Sequence, residues 1–214
     1  MTMEIYDPKS ATSFYNMDET VRVAVERFQN SDLDQMIENC GFTKCDDGFD
    51  VHFIQRDLHV SYPEGNVTDK STGAKVDDTC KVLVLHHAAY SKGGGLVDNM
   101  ISYKELPSGE IYIKPFTNRC VKALVGIFAS NLDALKGAVD QTIHREERHG
   151  DYSVTIQVMP KVPITLIVYE EDDEFPADGN ILFNGNAANH LHTEDYTQIS
   201  AYLVSSLKRI AFPK

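Results

Sequence analysis

The chain has 214 residues, 42% apolar and 24% charged, the composition of an ordinary folded chain and not of a disordered, fibrous or membrane-embedded one. With 32 acidic against 20 basic residues the formal charge is −12, a field that repels phosphate backbones and anionic membrane surfaces, so nucleic acid is not an expected partner. No apolar run approaches the roughly 20 residues that a bilayer requires, and residues 1–13 hold Glu4 and Asp7 without an apolar h-region; the sequence therefore predicts no membrane segment, no secretory signal and a cytoplasmic protein.

Residues 1–15 read as a loosely ordered arm. Over 16–39, Met17, Val21, Val25 and Phe28 recur at helical steps, with Glu19, Arg22, Glu26 and Arg27 turned elsewhere. Ser31 followed by Asp34 resembles a fresh cap, so the stretch predicts two helices or a bent one, ending at Cys40-Gly41. Phe49, Val51 and Phe53, then Leu58, Val60 and Tyr62, alternate with polar residues and predict a hairpin turning at 55–57. The polar stretch 63–75 reads as a surface loop. Asp77 and Asp78 open an apolar helix over 80–90 that stops at Lys92 and three glycines, 93–95.

Residues 100–106 and 110–114 flank Pro107-Ser108-Gly109 as a second hairpin. Two helices follow, over 117–129 and 132–145, the second capped by Asn131. Val154, Ile156 and Val158, then 164–169, read as strands around a proline-bounded connection. An acidic turn at 170–174 leads to Ile181-Leu182-Phe183, a short strand or buried loop. Thr193-Glu194-Asp195 caps a last amphipathic helix carrying Ile199, Leu203, Leu207 and Ile210. Strands and helices come in groups, which predicts an α+β fold, a single domain over 1–214 with an antiparallel or mixed sheet and helices packed against it.

Short catalytic and nucleotide-binding motifs are absent. Cys40 and Cys45 have the C-x4-C opening of a plant-type iron–sulfur run, but its third thiolate would fall at Gly48. A zinc site from Cys40, Cys45, Cys80 and Cys120 lacks close pairs, so the four cysteines read as reduced, buried thiols. His190, His192, Glu194 and Asp195 form the most ligand-like local cluster, because alternating histidines can face one metal. Against that stands the ordinary preference of helix N-termini for carboxylates.

His86 and His87 sit mid-helix among Leu83, Val84, Leu85, Ala88 and Ala89, about 100° apart, so one of them faces inward. An inward imidazole must be satisfied by a core acceptor, or else it lines a pocket as an axial ligand or general base. The acidic run 170–174 reads as a solvated turn that could also receive a hard cation or a basic partner.

Leu85-His86-His87, the stretch Ile101-Ser102-Tyr103-Lys104-Glu105-Leu106-Pro107, and the ordered segments Asp-Glu-Phe-Pro at 173–176, Asn-Ile-Leu-Phe at 180–183 and Thr-Glu-Asp at 193–195 together resemble the domain of unknown function 3786 family, over most of the chain from about Asp18. The resemblance implies anaerobic metabolism, beside corrinoid and one-carbon pathways, and assigns no reaction. The cysteine-rich iron–sulfur segment of some relatives has no counterpart here. Two functional classes follow. As a binding module, the chain would hold a small molecule, a corrinoid or other tetrapyrrole, against His86 and His87, with Phe175, Pro176 and Phe183 as an apolar wall. As an enzyme, a hydrolase, it would use His86, or His190 and His192 with Glu194 or Asp195 around a metal.

Overall fold

The structure, a computed structural model, describes residues 16–213; the expected N-terminal arm lies outside them. Two antiparallel sheets carry the fold, which is α+β. The first is a meander of β1 (Thr43–Cys45), β2 (Gly48–Phe53), β3 (Arg56–Ser61) and β4 (Val67–Asp69), neighbours in chain order. Alternation puts Phe49, Val51 and Phe53 of β2 on the buried face beside Leu58 and Val60 of β3. Against that face pack α1 (Met17–Gln29) and α2 (Leu33–Cys40), with Phe28 6.1 Å from Phe49 between ring centroids. Asp32, not Ser31, caps α2, accepting the Gln35 amide at 2.8 Å, and Gly41 closes the helix in the left-handed region at φ 75°.

The second sheet runs β5-β9-β8-β7-β6, from β5 (Met100–Ser102), β6 (His144–Glu146), β7 (Tyr152–Met159), β8 (Val162–Tyr169) and β9 (Asp178–Asn184). Its inner face, with Val154, Ile156, Ile164, Leu166, Ile181 and Phe183 all buried, lies under α4 (Gly109–Phe116), α5 (Lys122–Phe128), α6 (Leu132–Val139) and α7 (Thr193–Ala211). Pro115 removes one amide donor from α4, and the next turn, Thr117–Val121, is wound as a π-helix leading into α5.

Packed against α1, α2 and α7 lies α3 (Asp78–Tyr90), whose Cys80, Val82, Leu83, Val84, Leu85, His87 and Ala88 are buried. Asp77 caps it by accepting the Cys80 amide at 3.0 Å. One continuous apolar cluster joins residues of both sheets, and the Ile54 amide donates to Val158 O at 2.8 Å across them. Among the described residues no helix is long and apolar enough to cross a membrane.

Four expectations are corrected. The first hairpin turns at Ile54 and Gln55, with Ile54 at φ 60°, and the supposed loop after it contains β4. Residues 110–114 are helical: Ser108 and Gly109 start α4 instead of joining two strands. A Cβ on Gly109 would lie 1.9 Å from Tyr103 O, so close approach, not a β-turn, demands glycine there. The partner of β5 is β9, with Ile101 opposite Phe183. The helix that begins at Leu132 stops at Val139, and His144–Glu146 is an edge strand on β7.

Candidate functional site: the histidine seam

The four histidines singled out in the sequence converge where α3 meets the lead-in to α7, but they sort differently from the expected pairs. His86 and His87, adjacent on α3, point apart as the 100° helical step requires. His87 is the inward one, 0% exposed, and His86 lies at the edge of the seam. His190 and His192 also separate. The i and i+2 rule for a shared face holds for extended chain, whereas here a 3-10 turn, Ala187–Asn189, runs straight into the α7 cap.

The outer layer is built on His86. Its Nδ1 is 2.8 Å from Asp195 Oδ1, and because a carboxylate only accepts, Nδ1 carries the proton and Nε2 presents its lone pair in the neutral ring. Asp195, 3% exposed, has its second oxygen, Oδ2, at 3.3 Å from the His192 amide at the N-terminus of α7, where the helix dipole favours an anion. Among the described residues His86 Nε2 has no hydrogen-bond partner. Around it stand Tyr90, one turn on along α3 with its ring 4.9 Å from that of His86, and His192, 4.3 Å from Tyr90. Arg27 of α1 lies over the Tyr90 ring at 3.9 Å. Arg27 and Tyr90 were missed in the sequence; Tyr90 was legible as the residue four beyond His86.

The inner layer is His87 and His190, rings 5.9 Å apart, enclosed by Phe42, Cys40 and Ser91. His190 Nδ1 lies 3.0 Å from Ser91 Oγ. Neither nitrogen of His87 has a partner among the described residues, nor has His190 Nε2. Burial, with the Lys161 charge nearby, pushes His190 down to about 4, and burial with His190 and Lys161 pushes His87 down to about 3, so both are neutral at pH 7.

The remaining predicted residues do not join the seam. Phe175 is 65% exposed and Pro176 is also exposed, in the loop between β8 and β9, while Phe183 is buried among Tyr103, Phe116 and Tyr196. The expected wall of Phe175, Pro176 and Phe183 is therefore not formed, because Phe183 alternates into the core and the acidic run holds Phe175 at the surface. There Asp172 Oδ1 accepts the Glu174 and Phe175 amides at 2.8 and 2.7 Å. No metal set arises from His190, His192, Glu194 and Asp195: His190 turns inward and Glu194 lies at the surface. The four cysteines do not converge either, since Cys40, Cys80 and Cys120 are buried in separate contacts, with His87 O, Arg56 and Thr197 O.

A cavity of about 350 Å³ opens on the outer face of the second sheet, lined by Val97, Met100, Ile143, Arg145, Thr155 and Lys161 among others, and contains none of the predicted ligand residues. Its cations are engaged within the protein. Arg145 pairs with Glu147 at 2.8 Å, and Lys161 donates to the Glu38 and Asn39 carbonyls that end α2.

No curated protein and no solved structure matches the chain. The family described as domain of unknown function DUF3786 matches residues 32–206, a span running from the Asp32 cap of α2 into the last turns of α7 and taking in all four histidines of the seam. By that match the chain belongs to the DUF3786 family.

Proposed function

We propose that the protein binds a small polar ligand at the seam of α1, α3 and α7, with Nε2 of His86 as the accepting or coordinating atom and Asp195 fixing the ring behind it. The observation that supports this is the 2.8 Å His86–Asp195 contact, which spends a nearly buried carboxylate on orienting one ring and leaves the other nitrogen uncommitted. Arg27 adds positive charge at the rim, suited to an anionic or acidic group on the ligand, and His192, whose pKa burial pushes down, stands beside Tyr90 as a polar neighbour.

A corrinoid or other tetrapyrrole would need an axial nitrogen and an apolar bed. His86 fits the first, but the residues expected to supply the bed are on the surface or in the core, so a ligand smaller than a macrocycle suits the site better. The same pair has the geometry of a general base acting on water, the second reading, which makes the protein a hydrolase. Four free thiols, three of them buried, suit a reducing cytoplasm, and the family resemblance suggests a ligand drawn from anaerobic metabolism.

The test is to purify the protein and its His86→Gln variant without oxygen, release bound small molecules, and identify them by mass spectrometry beside an absorption spectrum. A compound near one per chain in the wild type, absent from His86→Gln and reduced in Asp195→Asn, is expected. Equal occupancy in wild type and His86→Gln overturns the reading. A bound macrocycle with a ligand-sensitive visible band would restore the corrinoid.

A further inference from the structure

A second cluster lies on the first sheet, apart from the histidine seam. The register places Asp50 of β2 opposite Thr43 of β1 and opposite His59 of β3. Side chains alternate along a strand, so Cys45, two residues beyond Thr43, shares that face. A thiol sulfur, a carboxylate oxygen and an imidazole nitrogen from three adjacent strands thus come within 4.8 Å of one another, all three residues partly buried. Asp50 accepts from His59 Nδ1 at 3.0 Å and from the ammonium of Lys70. The second ring nitrogen, Nε2, sits 3.3 Å from Asp47 Oδ1 in the β1–β2 turn. Among the described residues no other three groups of this kind converge.

We infer that Cys45, Asp50 and His59 form a binding site for a divalent cation of the zinc type, with Asp47 orienting the imidazole. Thiolate, imidazole and carboxylate are the donors zinc takes, and a tetrahedral ion would draw them to spacings of about 3.3–3.6 Å, a small rotation for side chains at a partly open face. Three protein ligands leave the fourth position to water. A carboxylate on the far nitrogen of a ligating histidine fixes its tautomer and raises its basicity, the place Asp47 occupies. Lys70 shows that the position already attracts a positive charge, and it is the competitor an ion must displace.

On binding, the Cys45 thiol gives its proton to solvent and the sulfur pair goes to the ion. The His59 proton moves from Nδ1 to Nε2, where Asp47 accepts it, so one proton leaves per ion and nothing is oxidised or reduced. The ion would tie β1, a three-residue edge strand, to β2 and β3.

The competing account is a plain ionic network in which Cys45 is a bystander. The two separate on titration of the untagged, reduced full chain with Co2+, followed by displacement with Zn2+. The wild type is expected to show a near-ultraviolet thiolate-to-cobalt charge-transfer band and the visible bands of four-coordinate cobalt. Cys45→Ser should lose the charge-transfer band, since the other three cysteines are buried. Asp47→Asn should bind about 10- to 100-fold more weakly. Lys70→Met, which removes the competing ammonium, should bind several-fold more tightly. No thiolate band in the wild type at saturating cobalt, a band that persists in Cys45→Ser, or a Lys70→Met chain that binds no more tightly than wild type each overturns the site.

Discussion

Asp195 spends both oxygens at once, on the imidazole of His86 and on the amide that opens α7. Removing the imidazole strands a carboxylate oxygen where little solvent reaches, so His86→Ala should cost about 1–3 kcal/mol in stability whatever its effect on a ligand. Asp195→Ala removes the same contact together with a helix-terminus interaction, so the two changes should be markedly non-additive in urea denaturation. Additivity within about 0.5 kcal/mol would mean that the contact contributes nothing to the fold. The coupling also shows what the sequence could reveal of the site. That one of His86 and His87 turns inward follows from the helical step alone. Which one does not follow, because α3 is apolar on nearly every side and offers no polar face to orient it. Asp195 looked like an ordinary dipole-compensating residue, since its partner lies 109 positions away.

Elements with a clean period were legible, and those defined by distant partners were not. The alternation in β2, β3 and the 154–158 part of β7 and the stripe of α7 give their own burial, and the structure keeps it, while the apolar run of β8 is buried on both faces. Glu110 to Lys114 failed because a run of Ile111, Tyr112 and Ile113 fits a strand as well as a helix; Ile111, 74% exposed, follows no face, and the docking of Gly109 on Tyr103 decides for the helix. Three-residue strands such as β1, β4 and β6 exist through their neighbours and carry too few residues for a pattern. Caps were better marked. Asp77 accepts the Cys80 amide at 3.0 Å and the Tyr202 hydroxyl at 2.6 Å, so one side chain both starts α3 and ties it to α7. Asp77→Ala should cost about 1–2 kcal/mol from the cap, with a further loss because the Tyr202 hydroxyl, which still accepts from Arg56, no longer has an acceptor for its own proton. Tyr202→Phe in the Asp77→Ala background should then cost less than it does alone, measured by chemical denaturation of the four chains.

At the scale of the whole molecule, α3, packed against α1, α2 and α7, carries a neutral imidazole with no hydrogen-bond partner among the described residues, facing a second at its junction with the lead-in to α7. The arrangement makes the junction sensitive to acid. In the unfolded chain both rings titrate near their ordinary value of about 6.5. In the fold they are pushed down to about 3 for His87 and about 4 for His190, by burial first and by the Lys161 charge in addition. Between those values and 6.5 the unfolded chain binds more protons than the folded one, so stability rises with pH through that window. On acidification it is lost, at up to about 1.4 kcal/mol per pH unit for each ring. The denaturation midpoint should therefore fall steeply from pH 7 to pH 5, before most carboxylates titrate. His87→Leu removes one of the two rings and two of the three unpartnered ring nitrogens with it, since a leucine of similar bulk leaves no orphaned nitrogen against Phe42. Its stability at pH 7 should stay within about 1 kcal/mol of wild type or exceed it, and its slope between pH 5 and 7 should fall by about half. A His87→Leu profile parallel to that of the wild type would show that His87 gains its proton without opening the junction, and that the interior of this fold is more accessible to water than its packing implies.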